Sequence, residues 1–414
     1  MNVAIIGGGV SGMIAAIISK RYGNEVTVFE HMPRMGKKLI LTGNGRCNLS
    51  NTDMSLEHFH SQNPARVKAI LDKCPQKDTL AFFEGLGLYV KDRGGYLYPY
   101  SENASAAVDV LRFEIRDKGI DVMTETEVTS VRKVMQGNER NLEGKFMVTA
   151  NDKELSFDRV IICAGSNAQR NTGSDGSGYR LAKDLGHTVI KPLPALTYLT
   201  CDEDFFPSIA GIRAKAKVSL FAGAKINSCD DPIGSDMGEV QLTKTGISGI
   251  PVFNVSHRAI KELDENRFVK AIIDFMPDID RDDMIPFMKK RTDEIKSRSI
   301  EELLIGIVAK PLGICICKRC GLNLRSLCAE LSDSDITCLC EMIKQFDVTV
   351  KGHGSFENAQ VTQGGVSLDQ VNDNLESRVV SGVFFAGEIL DVHGDCGGYN
   401  LQWAASSAMV AAAR

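Results

Sequence analysis

The chain predicts an α/β protein: a dinucleotide-binding domain interrupted by a β-rich insertion and a small helical insert. Three observations predict it. An apolar run at residues 2–6 is followed by GGGVSG, the small-apolar stretch Met13–Ile18, a second apolar run Glu25–Phe29 and the acid Glu30. Gly-rich sequence with a short buried run and an acid returns at 382–403. Between them the pattern changes twice, first to short alternating runs and then to charged sequence of helical period.

In the first segment, strand, Gly-rich turn, helix, strand and acid follow in the order of a dinucleotide fold. Gly7 lets the chain turn out of the strand, Gly9 admits a pyrophosphate to the backbone, and Gly12 lets the helix pack closely. A Gly-rich turn without a ligand would leave these spacings and the acid unexplained. Glu30 accepts hydrogen bonds from a ribose and repels a 2′-phosphate, so this site holds FAD or NAD rather than NADP.

Residues 36–51, GKKLILTGNGRCNLSN, are too polar and Gly-rich for core, and read as either a functional or a solvated loop. Helices are expected at 64–86 and 101–118, the second capped by Ser101, with strands over Asp121–Val134, Lys145–Ala150 and 158–165. From Pro192, runs such as Ala216–Phe221 and Glu239–Thr243 predict the β-rich insertion. Ile279–Cys340 predicts helices, with Pro286 and Pro311 as breakers. VFFAGE is then a buried strand, and a helix runs from about Asn400 to Ala413. A chain that begins and ends in nucleotide-contacting sequence is one domain interrupted by insertions.

The 414 residues carry Lys+Arg 48 against Asp+Glu 53, a net charge of −5, which weighs against a nucleic-acid partner and favours a small-molecule substrate. Hydrophobic residues at 43% with charged residues at 24% exclude a disordered or fibrous chain. No long apolar run predicts a membrane span and no secretory signal is read, so a cytoplasmic chain with reduced thiols is expected. Six of the 12 cysteines crowd at Cys315, Cys317, Cys320, Cys328, Cys338 and Cys340. Their spacing lacks a repeated Cys-x-x-Cys, so buried thiols on helices are expected and no metal.

GGGVSG with Glu30, GKKLILTGNGRCNLSN, CAG at 163–165, ISGIPVFNVS at 247–256, AQVTQGGV at 359–366 and FAGEILDVHGDCGGYNLQWA at 385–404 resemble the bacterial BaiN-like flavoproteins. That family is also described as aminoacetone-oxidase-like and includes relatives of a bile-acid 4,6-enoyl reductase. The resemblance implies FAD on a glutathione-reductase-type domain split by a β-barrel and a helical insert. The implied segments are 1–191 and 357–414 for the FAD domain, 192–275 and 343–356 for the barrel, and 276–342 for the insert.

By motif, Gly7, Gly9, Val10, Ser11, Gly12 and Glu30 would hold the ADP half, supported by Lys38. Val128 would meet the adenine through its backbone, and Ala164 with Gly165 would line the pyrophosphate. Gly45, Arg46, Cys47 and Asn48 would lie beside the flavin ring, and Gly387 with Glu388 at the ribityl and phosphate region. Gly398 allows close approach, and Asn400 with Leu401 would present helix N–H groups to the flavin N1 and O2 edge, where reduction accumulates negative charge.

The implied reaction is hydride transfer from NADH or NADPH through FAD to an activated alkene such as an unsaturated 3-oxo steroid or bile acid. Arg46, Tyr399 and His393 are the candidates for its polar roles. Tyr399 reads first as an aromatic packed beside the cofactor and second as a proton donor, and His393, where the family commonly has a carboxylate, first as a supporting hydrogen-bonding group and second as a proton donor. Since no second strand-GxGxxG-helix unit follows, the nicotinamide would visit the flavin without its own domain. That absence feeds the alternative, an oxidase of a small amine using O₂; a flavin-bearing RNA-modification accessory is disfavoured by charge.

Overall fold

The structure, a computed structural model, describes residues 1–136, 143–223 and 231–413. The chain divides into two compact units, Met1–Pro194 with Phe356–Arg414, and Ala195–Ser355.

The first unit is built on a five-stranded parallel sheet. Its strands are β1 (Asn2–Ile6), β2 (Glu25–Phe29), β3 (Asp121–Met123), β7 (Arg159–Ile162) and β14 (Val383–Phe385), in the spatial order β14-β7-β1-β2-β3. Val3, Ala4 and Ile5 are fully buried, as a strand covered on both faces requires. Helix α1 (Val10–Arg21) is apolar nearly all round, because it packs on the sheet and on α7 (Tyr399–Ala412). Helix α2 (Ala104–Asp117) buries Ala104, Ala107, Val108, Leu111 and Ile115, one stripe at helical spacing. An antiparallel sheet of β4 (Val128–Gln136), β5 (Glu143–Ala150) and β6 (Lys153–Phe157) inserts between β3 and β7.

In the second unit six strands close a barrel: β8 (Leu199–Cys201), β9 (Arg213–Ala222), β10 (Gly234–Leu242), β11 (Gly246–Ser248), β12 (Val269–Asp274) and β13 (Phe346–His353). Alternate residues fill it, with Val218 opposite Ile273 and Leu220 opposite Ala271. Helix α3 (Ile250–Asp264) packs on β9 and β10, and α6 (Asp333–Lys344) packs on β12 and β13. The helices α4 (Arg281–Glu294) and α5 (Lys310–Arg319) complete this unit, so the segment 276–342 shares one compact body with the barrel.

Several boundaries differ from those expected. The helix over 64–86 is two, Pro64–Lys73 and Gln76–Gly85, because Pro75 cannot continue the first. Asn103 caps α2, accepting the Ser105 N–H at 3.0 Å, so Ser101 does not. Asp121–Val134 is split into β3 and β4 by a turn that hands the Thr126 N–H to the Glu30 carbonyl. Pro286 lies inside α4, and Pro311 lies in the first turn of α5, where a missing N–H costs little; neither breaks a helix. The cysteines Cys315, Cys317, Cys328 and Cys340 are buried on this helical segment. Among the described residues no helix is long and apolar enough to cross a membrane.

Candidate functional site

At the end of β1 the backbone of Gly7 is left-handed, φ 104°, and a Cβ there would stand 2.5 Å from the Cys163 carbonyl oxygen. A Cβ on Gly12 would fall inside the Gly7 carbonyl oxygen, so α1 rests directly on the turn. Gly9 is different: nothing lies within 4 Å of where its Cβ would be. Helix α1 starts at Val10 without a side-chain cap, leaving an open, electropositive helix end in front of that space. Glu30, 9% exposed at the end of β2, accepts the Gly8 N–H at 2.8 Å and the Met32 N–H at 2.7 Å. Each carboxylate oxygen keeps a second acceptor site, which suits the two hydroxyls of a ribose. Val128 opens β4 two residues beyond Thr126, the residue bonded to the Glu30 carbonyl.

The return segment meets this turn. A Cβ on Gly387 would stand 2.5 Å from Ser11 Oγ; the Gly387 N–H donates to Ser407 Oγ at 2.9 Å, and its carbonyl accepts Trp403 Nε1 at 3.2 Å. Lys38 pairs with Glu388 at 2.7 Å, while Ser166 Oγ and the Thr362 N–H donate to the other Glu388 oxygen at 2.7 and 3.1 Å. Lys38 and Glu388 are thus locked to each other, and Ser166 and Thr362 join the site without having been singled out from the sequence. Ala164 packs against Gly178, and Gly165 (φ 70°) packs against Ser174.

The loop 43–48 is strained. Gly43, Asn44, Gly45 and Cys47 all hold positive φ, two of them non-glycine. Cys47 is buried, and burial pushes its thiol up to about 12 against a hydrogen bond with Thr42, so it stays protonated and is a poor nucleophile. The Asn48 Oδ1 is buried and has no hydrogen-bond partner among the described residues. A buried orphan acceptor calls for a donor from outside the chain. Arg46 is exposed and makes no ion pair among the described residues. Just beyond this loop, a Cβ on Gly398 would lie 2.5 Å from the Ser50 carbonyl oxygen, and α7 begins at Tyr399 without a side-chain cap. The Asn400 side chain closes its own loop, accepting the Gly394 N–H at 2.7 Å and donating to the Gly394 carbonyl at 2.8 Å. Leu401, half-buried, follows in the first turn.

Tyr399 is buried, stacked on His58 at 4.5 Å and edge-on to Phe59 at 5.5 Å, and burial raises its hydroxyl above the ordinary range. His393 is buried on a two-residue strand whose partner is Phe59–His60. Beside it sits a group that sequence spacing alone did not indicate: Asp395 holds His58 Nδ1 at 3.0 Å and His60 Nε2 at 2.7 Å. HFH at 58–60 and HGD at 393–395 are over 330 residues apart, so only the fold pairs them. Asp391, also buried, accepts the Gln62 N–H at 2.9 Å, and burial pushes its carboxyl up to about 6.

The open helix end at Gly9, the Glu30 acceptors and the Asn48 orphan fit FAD: ADP at one end and a flavin ring at the other. Fold and site together define a Rossmann-type flavoprotein. The chain belongs to the family described as HI0933-like protein Rossmann domain, which matches residues 1–414, and its resemblance to the BaiN-like flavoproteins is borne out. It is 36% identical over 406 residues to the 3-dehydro-bile acid delta(4,6)-reductase of Clostridium scindens, covering 97% of this chain and 96% of that one. It is 28% identical over 415 residues to the ribosomal RNA dihydrouridine synthase of Haemophilus influenzae, covering 99% and 96%. Among solved structures, 3-ketosteroid delta1-dehydrogenase from Sterolibacterium denitrificans aligns with a TM-score of 0.49 at 12% identity, over 99% of this chain and 98% of that one.

Proposed function

We propose that this chain is an FAD-dependent oxidoreductase that reduces an activated C=C bond in a hydrophobic enone of the 3-oxo bile acid or steroid type, with NADH or NADPH as the electron donor. The observation that carries this reading is the 36% identity, across nearly the whole of both chains, to a protein named as a delta(4,6)-reductase. FAD, when bound, supplies the hydride.

The chain's own residues supply the rest. The open end of α1 and Gly9 receive the pyrophosphate, and Glu30 the adenosine ribose. The uncapped end of α7 would favour negative charge on a flavin bound beside it, and Asn48 Oδ1 would accept a hydrogen bond from that ring. In this reading Arg46 polarises the substrate carbonyl, and His393 and Tyr399 serve the delivery of the proton.

Anaerobic rapid mixing tests the reading. Flavin bleaching by NADH or NADPH, followed by reoxidation by a 3-oxo-4,6-diene bile acid faster than by O₂, is the expected result. Bleaching by aminoacetone alone would replace it with the amine-oxidase reading. Reoxidation by a uridine-containing ribosomal RNA fragment and by no enone would move the substrate class to that of the 28% relative.

A further inference from the structure

Four ionisable side chains lie in line between the surface and the buried His393. Asp53 is outermost, with 60% of its side chain exposed, and reaches His58 Nε2 at 3.3 Å. His58, Asp395 and His60 follow, at 26%, 17% and 18%, joined by the 3.0 and 2.7 Å contacts to the two Asp395 oxygens. The His60 ring then meets the His393 ring at 5.0 Å, and His393 is 5% exposed. Three of the first unit's five histidines are gathered here. The Asp395 carbonyl is held by Asn400 Nδ2 at 3.4 Å and its N–H by the His58 carbonyl at 3.0 Å. The row is therefore fastened to the first turn of α7, the helix end assigned above to the flavin ring.

We propose that His58, Asp395 and His60 form a proton chain that feeds the reduction, His58 taking protons from water and His60 delivering them at the inner end. This rests on the C=C reduction proposed above. In that reaction the alkene gains a hydride on one carbon and a proton on the other, and its π bond breaks. The proton is the one His58 carries; it crosses Asp395 and leaves through His60, and water replaces it at His58.

The charges suit the role. Burial lowers the His58 imidazole, but Asp395 and Asp53 outweigh it, so His58 keeps its proton to higher pH than a free imidazole. Burial raises Asp395, and His60 and His58 outweigh that, so the carboxylate stays ionised between them. Within this unit the other titratable groups facing the row are Glu57 beside Asp53 and His58, Tyr399 stacked on His58, His393 across the strand pair, and Asp391 beneath Ser61 and Gln62.

Asp395→Asn and His58→Gln test it in the FAD-loaded protein, alongside histidine ¹⁵N NMR titration. In the wild type, His58 should keep its proton to higher pH than a free imidazole, and Asp395→Asn should move its titration to lower pH. Reoxidation by the enone should slow about 10²-fold at neutral pH in Asp395→Asn, with FAD content and bleaching by the nicotinamide unchanged. His58→Gln should slow the same step, and added imidazole should restore it. A purely structural role would instead lower FAD content and slow both half-reactions. A His58 titration that Asp395→Asn does not move, or variants whose enone step keeps the wild-type rate and pH profile, overturn the proposal. A wild type that no enone reoxidises overturns the reduction itself, and is told apart because the wild type then fails with its variants. If Asp395→Asn does not fold, His58→Gln carries the test.

Discussion

Gly9 and Gly12, three residues apart, separate binding from folding. Gly9 has an ordinary negative φ of −70° and open space around it. Gly9→Ala should leave the apoprotein's stability within about 0.5 kcal/mol of wild type, yet strip the flavin absorbance, because the added methyl occupies the pyrophosphate's approach. Gly12→Ala meets the backbone of Gly7, which cannot withdraw, and should lower the apoprotein's melting temperature as well as its FAD content. Scanning calorimetry and the visible spectrum of each variant distinguish the two. Glu30→Ala removes the acceptor of two backbone N–H groups, at about 1–3 kcal/mol for each buried donor left unpaired. It too should purify poor in FAD; a fully loaded variant would show that the ribose lies elsewhere. Cys47, whose thiol is held near 12, should resist iodoacetamide at pH 8 in the folded chain and react on unfolding, as read by mass spectrometry.

At the scale of elements, β13 owes part of its place in the barrel to Arg319 at the end of α5. That guanidinium donates to Asp347 Oδ1 at 2.6 Å and to the Asp347 carbonyl at 3.0 Å, and lies 4.6 Å over the Phe346 ring. Burial raises the Asp347 carboxyl, and Lys270 with Arg319 outweigh it and hold it below the ordinary range. A depressed carboxylate stabilises the fold above its unfolded pKa, and that contribution fades as pH falls through the folded value. The melting temperature of the wild type should therefore drop on acidification below about pH 4. Arg319→Ala should melt lower at pH 7, by about 1–2 kcal/mol, and lose less on acidification. Equal acid sensitivity in both would show that the pair is screened.

The whole molecule is one interrupted unit and one inserted unit, joined where the chain passes 194–195 and 355–356. Each has its own sheet and its own apolar interior. FAD is expected to bind the first unit, and at free FAD about 100 times Kd it would stabilise that unit by about 2.7 kcal/mol. Calorimetry with and without FAD should show two transitions, of which one moves. A single transition shifting as a whole would mean that the two interiors melt together.

The sequence by itself determined the parallel domain, its turn and the interrupted order, because these rest on local chemistry. Apolar runs, glycines at fixed offsets and the acid closing β2 are short-range signals. The helix break at Pro75 is also written in the chain, although the apolar period runs through it and masks the break. Only the tertiary structure decided that Lys38 spends its charge on Glu388, that Asn48 keeps an acceptor unpaired, and that Asp395 gathers His58 and His60. Those partners lie hundreds of residues apart. What joins them is the return of the last segment to the first sheet, which no local periodicity encodes.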